Sequence, residues 1–303
     1  MAERQRRAIL DMATNGNTEQ SMTIIYLNGE YLPLEKATVS VEDRGFLFAD
    51  GVYEVVRYYQ GRPFQLEAHL QRLQRSAQGA CLPLPKAVAE LPAIIARLLA
   101  ENNLQDTNIY IECTRGTAHP RTHAFPAEPH PTLLVMPQPI HSLPAEARTR
   151  GVSAITVPDL RWQRCDIKSI MLLPNVMAKT QARERGAFEA ILVRDGIVTE
   201  GSSTNIFAVL DGVLATHPAN HHILGGITRQ IVLQLAAVLR IPVREEPFTV
   251  EQMYHAQEVF LTSTTSEVLP ITQIDGRTIG NGQPGSVTTR LFQAFQRMTE
   301  REG

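Results

Sequence analysis

Apolar and polar residues in the first 140 positions follow two different periods, which predict strands and helices in the same region. An apolar run over 23–32 is interrupted by Asn28-Gly29, a pair that favours the positive φ angles of a tight hairpin turn. Residues 52–59 have strand character, and the apolar residues of 67–77 recur at helical spacing. The other elements predicted here are a helix over 87–101 and strands over 108–113 and 132–136.

The second half of the chain is richer in predicted strands, and prolines between Pro131 and Pro144 separate the two halves. We therefore predict an α+β fold with a smaller α/β N-terminal domain over 22–140 and a larger, strand-rich C-terminal domain over 141–303. Predicted strands of the second domain lie over 153–157, 188–193, 205–209, 213–216 and 259–261, and predicted helices over 177–185, 226–240 and 287–298.

The first 21 residues show neither period. They mix arginine, acidic and amide side chains without the apolar segment of a secretory signal, so we predict a disordered leader over 1–21. Met22, which directly precedes the first predicted strand, is an alternative start of the protein.

Composition narrows the class of protein. Lys and Arg number 29 against 31 Asp and Glu, and the net charge of -2 gives no broad positive field for nucleic acid or an anionic membrane. No uncharged apolar run reaches the roughly 18 residues that a membrane-spanning helix needs. We therefore expect neither a nucleic-acid partner nor a membrane.

The cysteines and histidines show no pattern of a metal site or a dithiol site. Cys81, Cys113 and Cys165 lie far apart and form no C-x-x-C motif, and no histidines are paired at metal-ligand spacing. We expect each cysteine to be a buried structural thiol, with no metal site and a reducing, cytoplasmic location.

Candidate chemistry begins with Lys168, which is one of only four lysines and has apolar neighbours, and with Glu200, which opens the run Glu-Gly-Ser-Ser-Thr-Asn. A lysine amine can form a Schiff base with an aldehyde cofactor, and a carboxylate can keep a pyridine nitrogen protonated. Together they indicate pyridoxal phosphate chemistry. Taken singly, each has a plainer interpretation, since Lys168 could be a solvated partner of Asp166 and Glu200 a surface turn residue.

A phosphate site is predicted at Leu224-Gly225-Gly226-Ile227-Thr228-Arg229, because glycines at a helix start leave N–H groups to bind an anion. The hydroxyl cluster over 262–266 and the helix-borne Arg72 could complete it. A plain Gly-Gly turn with an N-cap is the alternative.

Together these residues resemble the class IV, or fold-type IV, pyridoxal-phosphate aminotransferases, and among them most closely the D-amino acid aminotransferases (D-alanine transaminases). The resemblance covers the chain from about Tyr26 to about Phe295. The motifs that carry it are Glu42-Asp43-Arg44-Gly45, Asp50-Gly51-Val52-Tyr53-Glu54, 161–169, 200–205, His217-Pro218-Ala219-Asn220 and 262–267.

The resemblance implies a two-domain fold with pyridoxal 5'-phosphate at the interface of the domains. It implies that Lys168 forms the Schiff base and moves a proton between the substrate Cα and the cofactor carbon, while Glu200 pairs with the pyridine nitrogen. The remaining implied roles are phosphate binding by Arg72, Thr264 and the backbone at Ile227 and Thr228, and packing of Leu224 against the ring.

It also implies that Arg121, His123 and Tyr53 bind the substrate α-carboxylate, with Arg121 and His123 reaching the site of the partner subunit in a homodimer. The implied reaction moves the amino group of D-alanine to 2-oxoglutarate and gives pyruvate and D-glutamate by a ping-pong route. Alternatives on the same scaffold are a branched-chain L-aminotransferase, an (R)-selective amine transaminase and an aminodeoxychorismate lyase. A non-catalytic binding protein is an alternative of another class.

Overall fold

The computed structural model describes residues 23–140, 143–144 and 146–302. The predicted leader over 1–21 and the alternative start at Met22 lie outside these residues. Two β-sheets, each covered by helices, make up the described parts of the chain.

The first sheet has six strands in the order β2-β1-β6-β5-β3-β4, and neighbouring strands are antiparallel throughout. The predicted hairpin at Asn28-Gly29 is confirmed, since these residues have φ angles of 50° and 102° and join two antiparallel strands. The strands are β1 (Ile24–Leu27), β2 (Glu30–Pro33), β3 (Gly51–Tyr59), β4 (Arg62–Pro63), β5 (Thr107–Thr114) and β6 (Thr132–Gln138).

Three helices accompany this sheet: α1 (Arg44–Phe48), α2 (Leu66–Gly79) and α3 (Leu91–Glu101). The predicted helix over 87–101 was wrong in its first turn, where a 3-10 helix spans Lys86–Glu90. The α-helix begins only at Leu91 because Pro92 fits the first turn, whose N–H groups have no partner within the helix. Apolar residues of α2 and α3 pack against the sheet in one core, exemplified by Leu73 and Ile95.

The second sheet has nine strands in the order β12-β11-β10-β13-β14-β7-β8-β9, with β15 paired to β14. It is mixed, because the pairs β14/β7, β7/β8 and β11/β12 are parallel and the others antiparallel. The strands are β7 (Val152–Pro158), β8 (Glu189–Arg194), β9 (Ile197–Gly201), β10 (Asn205–Leu210), β11 (Val213–Thr216), β12 (Val243–Glu245), β13 (Glu258–Ser263), β14 (Glu267–Ile274) and β15 (Arg277–Thr278).

The helices of the second half are α4 (Ala147–Arg150), α5 (Leu173–Glu184), α6 (Ile227–Val238), α7 (Val250–Tyr254) and α8 (Ser286–Glu302). Residues of α6 and α8 share a core with stacked Phe207 and Phe260, whose ring centroids are 4.9 Å apart. Phe64, which follows β4, joins this core against Phe295 at 5.2 Å. The two halves of the chain are therefore packed together.

The α+β prediction is confirmed. Strands of the first sheet end at Gln138 and those of the second begin at Val152, while the division at 140–141 stays a prediction. Among the described residues, no helix combines the length and apolar character needed to cross a membrane. All three cysteines are free; Cys113 and Cys165 are buried as expected, but the prediction was wrong for Cys81, which is exposed.

Candidate active site

A cleft between the two sheets is lined by side chains from both halves of the chain. The first half supplies Tyr53 from β3 and Arg72 from α2, and the second half supplies the rest. Eight of the residues predicted for the site line this cleft: Tyr53, Arg72, Lys168, Glu200, Leu224, Ile227, Thr228 and Thr264.

Lys168 is held by the first half of the chain although it follows β7. Its backbone N–H donates to Ser76 Oγ at 3.0 Å, and its carbonyl accepts from the N–H of Tyr53 at 3.0 Å. The half-buried amine lies 4.1 Å from the centre of the Tyr53 ring. The alternative pairing with Asp166 is not observed, since that carboxylate accepts from Arg164 at 2.9 and 3.0 Å. The amine therefore faces the cleft beside an aromatic wall.

Glu200 is buried, with 5% of its surface exposed, so its interpretation as a surface turn residue was wrong. Its carboxylate accepts a hydrogen bond from Arg161, one from Asn205 Nδ2 at 3.0 Å and one from the N–H of Leu224 at 3.1 Å. Burial raises the pKa of this carboxyl above its ordinary value, and the charge of Arg161 opposes that shift. Three donors thus fix the orientation of a carboxylate inside the cleft.

Arg161, which we did not predict, donates to Glu200 and is itself held by Asp159. Its Nε and Nη2 donate to the buried Asp159 at 2.9 and 2.8 Å. Burial lowers the pKa of the Arg161 guanidinium, but its hydrogen bonds to Asp159 and the charges of Asp159 and Glu200 outweigh burial and raise it. The only sequence signal was its place in the 161–169 motif.

The residues of the predicted anion site lie at the beginning of α6. Gly226 is the N-cap residue and provides no side chain to cap the helix, so Ile227 and Thr228 follow with first-turn N–H groups directed to the cleft end of the helix. A Cβ at Gly226 would collide with Asn205 Oδ1, so a larger residue there would displace the amide that holds Glu200. A 12-residue helix without a side-chain cap is a favourable place for a phosphate.

Arg72 reaches the same end of the cleft and is held by Glu54, a residue that we did not assign to the site. Its Nε and Nη2 donate to Glu54 at 2.6 and 2.9 Å, and its Nη1 donates to the carbonyl of Gly225 at 3.0 Å. His69 also contacts the Glu54 carboxylate, at 2.7 Å. An acid at an inward-facing position of β3 was the available signal.

Glu54 is fully buried and remains charged. Burial alone would raise the pKa of its carboxyl, but the charge and hydrogen bonds of Arg72, with smaller effects of His69, hold that pKa well below its ordinary value. Arg72 is therefore fixed in position before any ligand arrives.

Thr262 is a third residue that we did not predict, since the sequence did not distinguish it from the other hydroxyls of its cluster. Its side chain lines the cleft with 1% exposure, and its hydroxyl has no hydrogen-bond partner among the described residues. This hydroxyl is therefore free to form a hydrogen bond with a ligand in the cleft. The amine, the anchored carboxylate, the uncapped helix and this hydroxyl match the aldehyde, ring nitrogen and phosphate of pyridoxal phosphate.

The structure does not bring Arg121 and His123 to Lys168 within one chain. Both are exposed, and neither lines the cleft. Their side chains lie against Phe48 of α1, with the Arg121 guanidinium 4.3 Å and the His123 ring 5.4 Å from the centre of the Phe48 ring. In the parts of the chain that the structure describes, no group of three His, Cys, Asp or Glu side chains could hold a metal ion.

Comparison with known proteins gives one consistent result. The family described as amino-transferase class IV matches residues 51–274. The chain is 46% identical to a D-alanine aminotransferase of Staphylococcus epidermidis over 276 residues, which cover 91% of this chain and 98% of that protein. It is 45% identical to a D-alanine aminotransferase of Bacillus licheniformis over 272 residues, which cover 90% and 95%.

Solved structures support the same fold. The branched-chain amino acid aminotransferase of Escherichia coli superposes with a TM-score of 0.86 at 30% identity, over 93% of this chain and 96% of that one. The branched-chain aminotransferase of Thermoproteus uzoniensis, solved with norvaline, gives a TM-score of 0.83 at 29% identity, over 93% and 96%. A further branched-chain enzyme, solved with pyridoxamine 5'-phosphate, gives a TM-score of 0.84 at 30% identity, over 93% and 95%.

Proposed function

The chain belongs to the class IV aminotransferases, and we propose that it transfers the amino group of D-alanine and related D-amino acids to 2-oxoglutarate, with pyridoxal 5'-phosphate as cofactor. The products are pyruvate and D-glutamate. The observation that carries this proposal is one cleft containing the Lys168 amine, the anchored Glu200 carboxylate and the uncapped beginning of α6. Relatives named D-alanine aminotransferase, at 45% and 46% identity over about nine tenths of the chain, support the substrate.

When bound, pyridoxal phosphate supplies an aldehyde that takes up the amino group and a ring that accepts the electrons of the broken Cα–H bond. The negative charge of Glu200 would keep the ring nitrogen protonated, and Arg161 and Asn205 hold its carboxylate in one orientation. Arg72, Thr264, Thr228 and the N–H of Ile227, which line one cleft, would bind the phosphate, and Leu224 would pack against the ring.

Lys168 is the catalytic base and acid. Its amine would hold the cofactor at rest, and it would remove the proton from the substrate Cα and return it to the cofactor carbon. The Tyr53 ring and the backbone bonds to Ser76 and Tyr53 keep the amine directed into the cleft. The same residue works in reverse when 2-oxoglutarate takes up the amino group, which gives a ping-pong cycle.

Selectivity for D-amino acids depends on where the substrate carboxylate is held. A guanidinium binds a carboxylate through two parallel hydrogen bonds, and the side on which it lies decides which Cα–H faces Lys168. Tyr53 lies in the cleft of its own chain, whereas Arg121 and His123 are exposed in a loop away from it. Their position supports a homodimer in which Arg121 and His123 complete the site of the partner subunit.

A branched-chain L-aminotransferase is the second candidate, favoured by the structural similarity to such enzymes at 30% identity. The higher identity to D-alanine aminotransferases supports the D-amino acid function more strongly.

Three free thiols support a reducing, cytoplasmic location.

An assay with 2-oxoglutarate as acceptor tests this function. D-alanine, L-alanine and L-leucine are compared with and without added pyridoxal phosphate, and the oxo-acid products are measured. We expect turnover of D-alanine that depends on the cofactor. Preference for L-leucine would support the branched-chain function instead, and a colourless protein without turnover would support a binding protein.

A further inference from the structure

A buried arginine donates hydrogen bonds to the backbone of the loop that carries Arg121 and His123. Arg44, at the beginning of α1, is 3% exposed. Its Nη1 donates to the carbonyls of Thr122 at 2.7 Å and Ala124 at 3.3 Å, and its Nη2 donates to the carbonyl of His123 at 3.3 Å. One guanidinium therefore contacts three consecutive residues of what we call the 121–124 loop.

Arg44 is itself fixed by Asp50, whose carboxylate accepts from Arg44 Nε at 2.8 Å. The same carboxylate accepts from Arg115 Nε and Nη2 at 2.8 and 3.0 Å. Arg115, 2% exposed, also donates to the carbonyls of Ala80 and Cys81, directly after α2. A half-buried anion shared by two buried cations therefore connects the loop to the helix that carries Arg72.

Helix α1 provides a second contact to the loop. The ring of Phe48, at the end of α1, lies 4.8 Å from the Arg44 guanidinium, 4.3 Å from that of Arg121 and 5.4 Å from the His123 ring. Asp43, the N-cap residue of α1, accepts from the hydroxyls of Thr114 and Thr132 and so anchors the helix to the first sheet. Backbone and side chains of the loop therefore rest on one short, anchored helix.

We propose that Arg44 is a positioning residue for substrate binding, which holds the 121–124 loop so that Arg121 and His123 are presented to the substrate carboxylate. This inference rests on the proposed function. If Arg44 served only to stabilise the fold, its salt bridge with Asp50 would be sufficient. Arg44 also donates three hydrogen bonds to consecutive carbonyls of the loop, which indicates that it holds the loop in place. Lysine cannot replace it, because a single ammonium lacks the planar fork that spans these carbonyls.

Replacement of Arg44 by lysine tests the proposal in the holoenzyme. Because Arg44→Lys keeps the charge beside Asp50 but loses loop contacts, we expect KM for D-alanine to rise about tenfold. The kcat value, the absorbance of the bound cofactor and the affinity for pyridoxal phosphate should stay close to wild type. The matched control is Arg75→Lys, at an exposed position of α2. An unchanged KM, or a loss of cofactor affinity equal to the rise in KM, would overturn the proposal.

A double variant separates this inference from the proposed function. If Arg44 acts through the loop, Arg44→Lys should add little to the KM of Arg121→Ala, whereas independent effects would multiply and contradict the proposal. A raised KM in Arg121→Ala with an unchanged KM in Arg44→Lys would reject the positioning role alone. An unchanged KM in Arg121→Ala would reject the proposed carboxylate site.

If Arg44→Lys does not give folded holoenzyme, Asp50→Asn takes its place. This change keeps the size of the side chain and leaves Arg44 without its fixed anion, so the same rise in KM is expected. A wild-type KM in Asp50→Asn would overturn the proposal.

Discussion

Two charged regions of this chain are built in opposite ways. In the cleft, Glu200 and Arg72 are buried, and each has a charged partner from the same chain. In the 121–124 loop, the side chains of Arg121 and His123 are exposed, and Arg44 holds only the backbone. The first arrangement suits a cofactor that stays bound, because its groups are fixed in advance; the second suits a substrate that enters and leaves each cycle.

The largest effect is expected in the cleft. Lys168→Ala removes the amine placed to bond the cofactor, so activity should fall about 10³-fold or more. The visible absorbance of the yellow holoenzyme should disappear with it. The control is Lys179→Ala, whose amine instead donates to the carbonyl of Phe188 at 2.6 Å. A visible band retained in Lys168→Ala would exclude this lysine as the cofactor anchor.

The next largest effect is expected in the loop. Arg121→Ala removes a charge-assisted pair worth about 2 to 5 kcal/mol, which corresponds to a rise in KM for D-alanine of about 30-fold or more. Cofactor absorbance should not change, because Arg121 is proposed to bind the substrate carboxylate and not the cofactor. Steady-state kinetics measure the rise in KM, with Arg75→Ala as the control. A loss of cofactor absorbance as large as the rise in KM would show that Arg121 also serves cofactor binding, and would contradict the division of roles between cleft and loop.

Glu200→Gln should act on kcat rather than on substrate binding. The amide loses an interaction with a charged ring nitrogen worth about 1.5 to 3 kcal/mol, so kcat should fall about 10- to 100-fold. The bond between Lys168 and the cofactor should still form, which absorbance measures. An undiminished kcat would contradict the assigned role of Glu200.

Glu54→Gln should have the smallest effect on activity, because Glu54 acts through Arg72. We expect the affinity for pyridoxal phosphate to fall about tenfold, as measured by titration of the apoenzyme. Glu54→Gln should also lower Tm. The pKa of Glu54 is lowered in the folded protein, so its stabilisation is complete above the unfolded value of about 4.3 and is lost as pH falls towards the folded value.

The Tm difference between wild type and Glu54→Gln should therefore be constant from about pH 8 to pH 5 and decrease below about pH 4. A difference that grows on acidification would show that Glu54 is not held in its charged form.

Local patterns predicted most of the elements, but one central strand escaped them. Asn28-Gly29 predicted a hairpin because few residue pairs adopt the two positive φ angles of a tight hairpin turn. In contrast, β14 contains Pro270, and a proline argues against a central strand because it has no N–H to donate. The strand tolerates it because the ladder to β7 begins only at Ile271, one residue later.

Some residues of the site could be predicted from the sequence and others could not. Lys168 and Glu200 could be predicted because each brings a chemical group that pyridoxal phosphate needs. Glu54 and Arg44 could not, since a buried charge looks like a surface charge until its partner is known, and Arg44 contacts Thr122, 78 residues away. Such residues are found by their contacts and not by their spacing.

A mixed dimer tests most directly whether the two regions serve one site from two subunits. Lys168→Ala and Arg121→Ala chains with different tags are co-expressed, and the heterodimer is isolated by tandem affinity purification. If Arg121 serves the partner subunit, one site of this heterodimer has both Lys168 and Arg121 intact, and we expect the wild-type KM for D-alanine. A heterodimer with the raised KM of the Arg121→Ala homodimer would contradict a site shared between subunits.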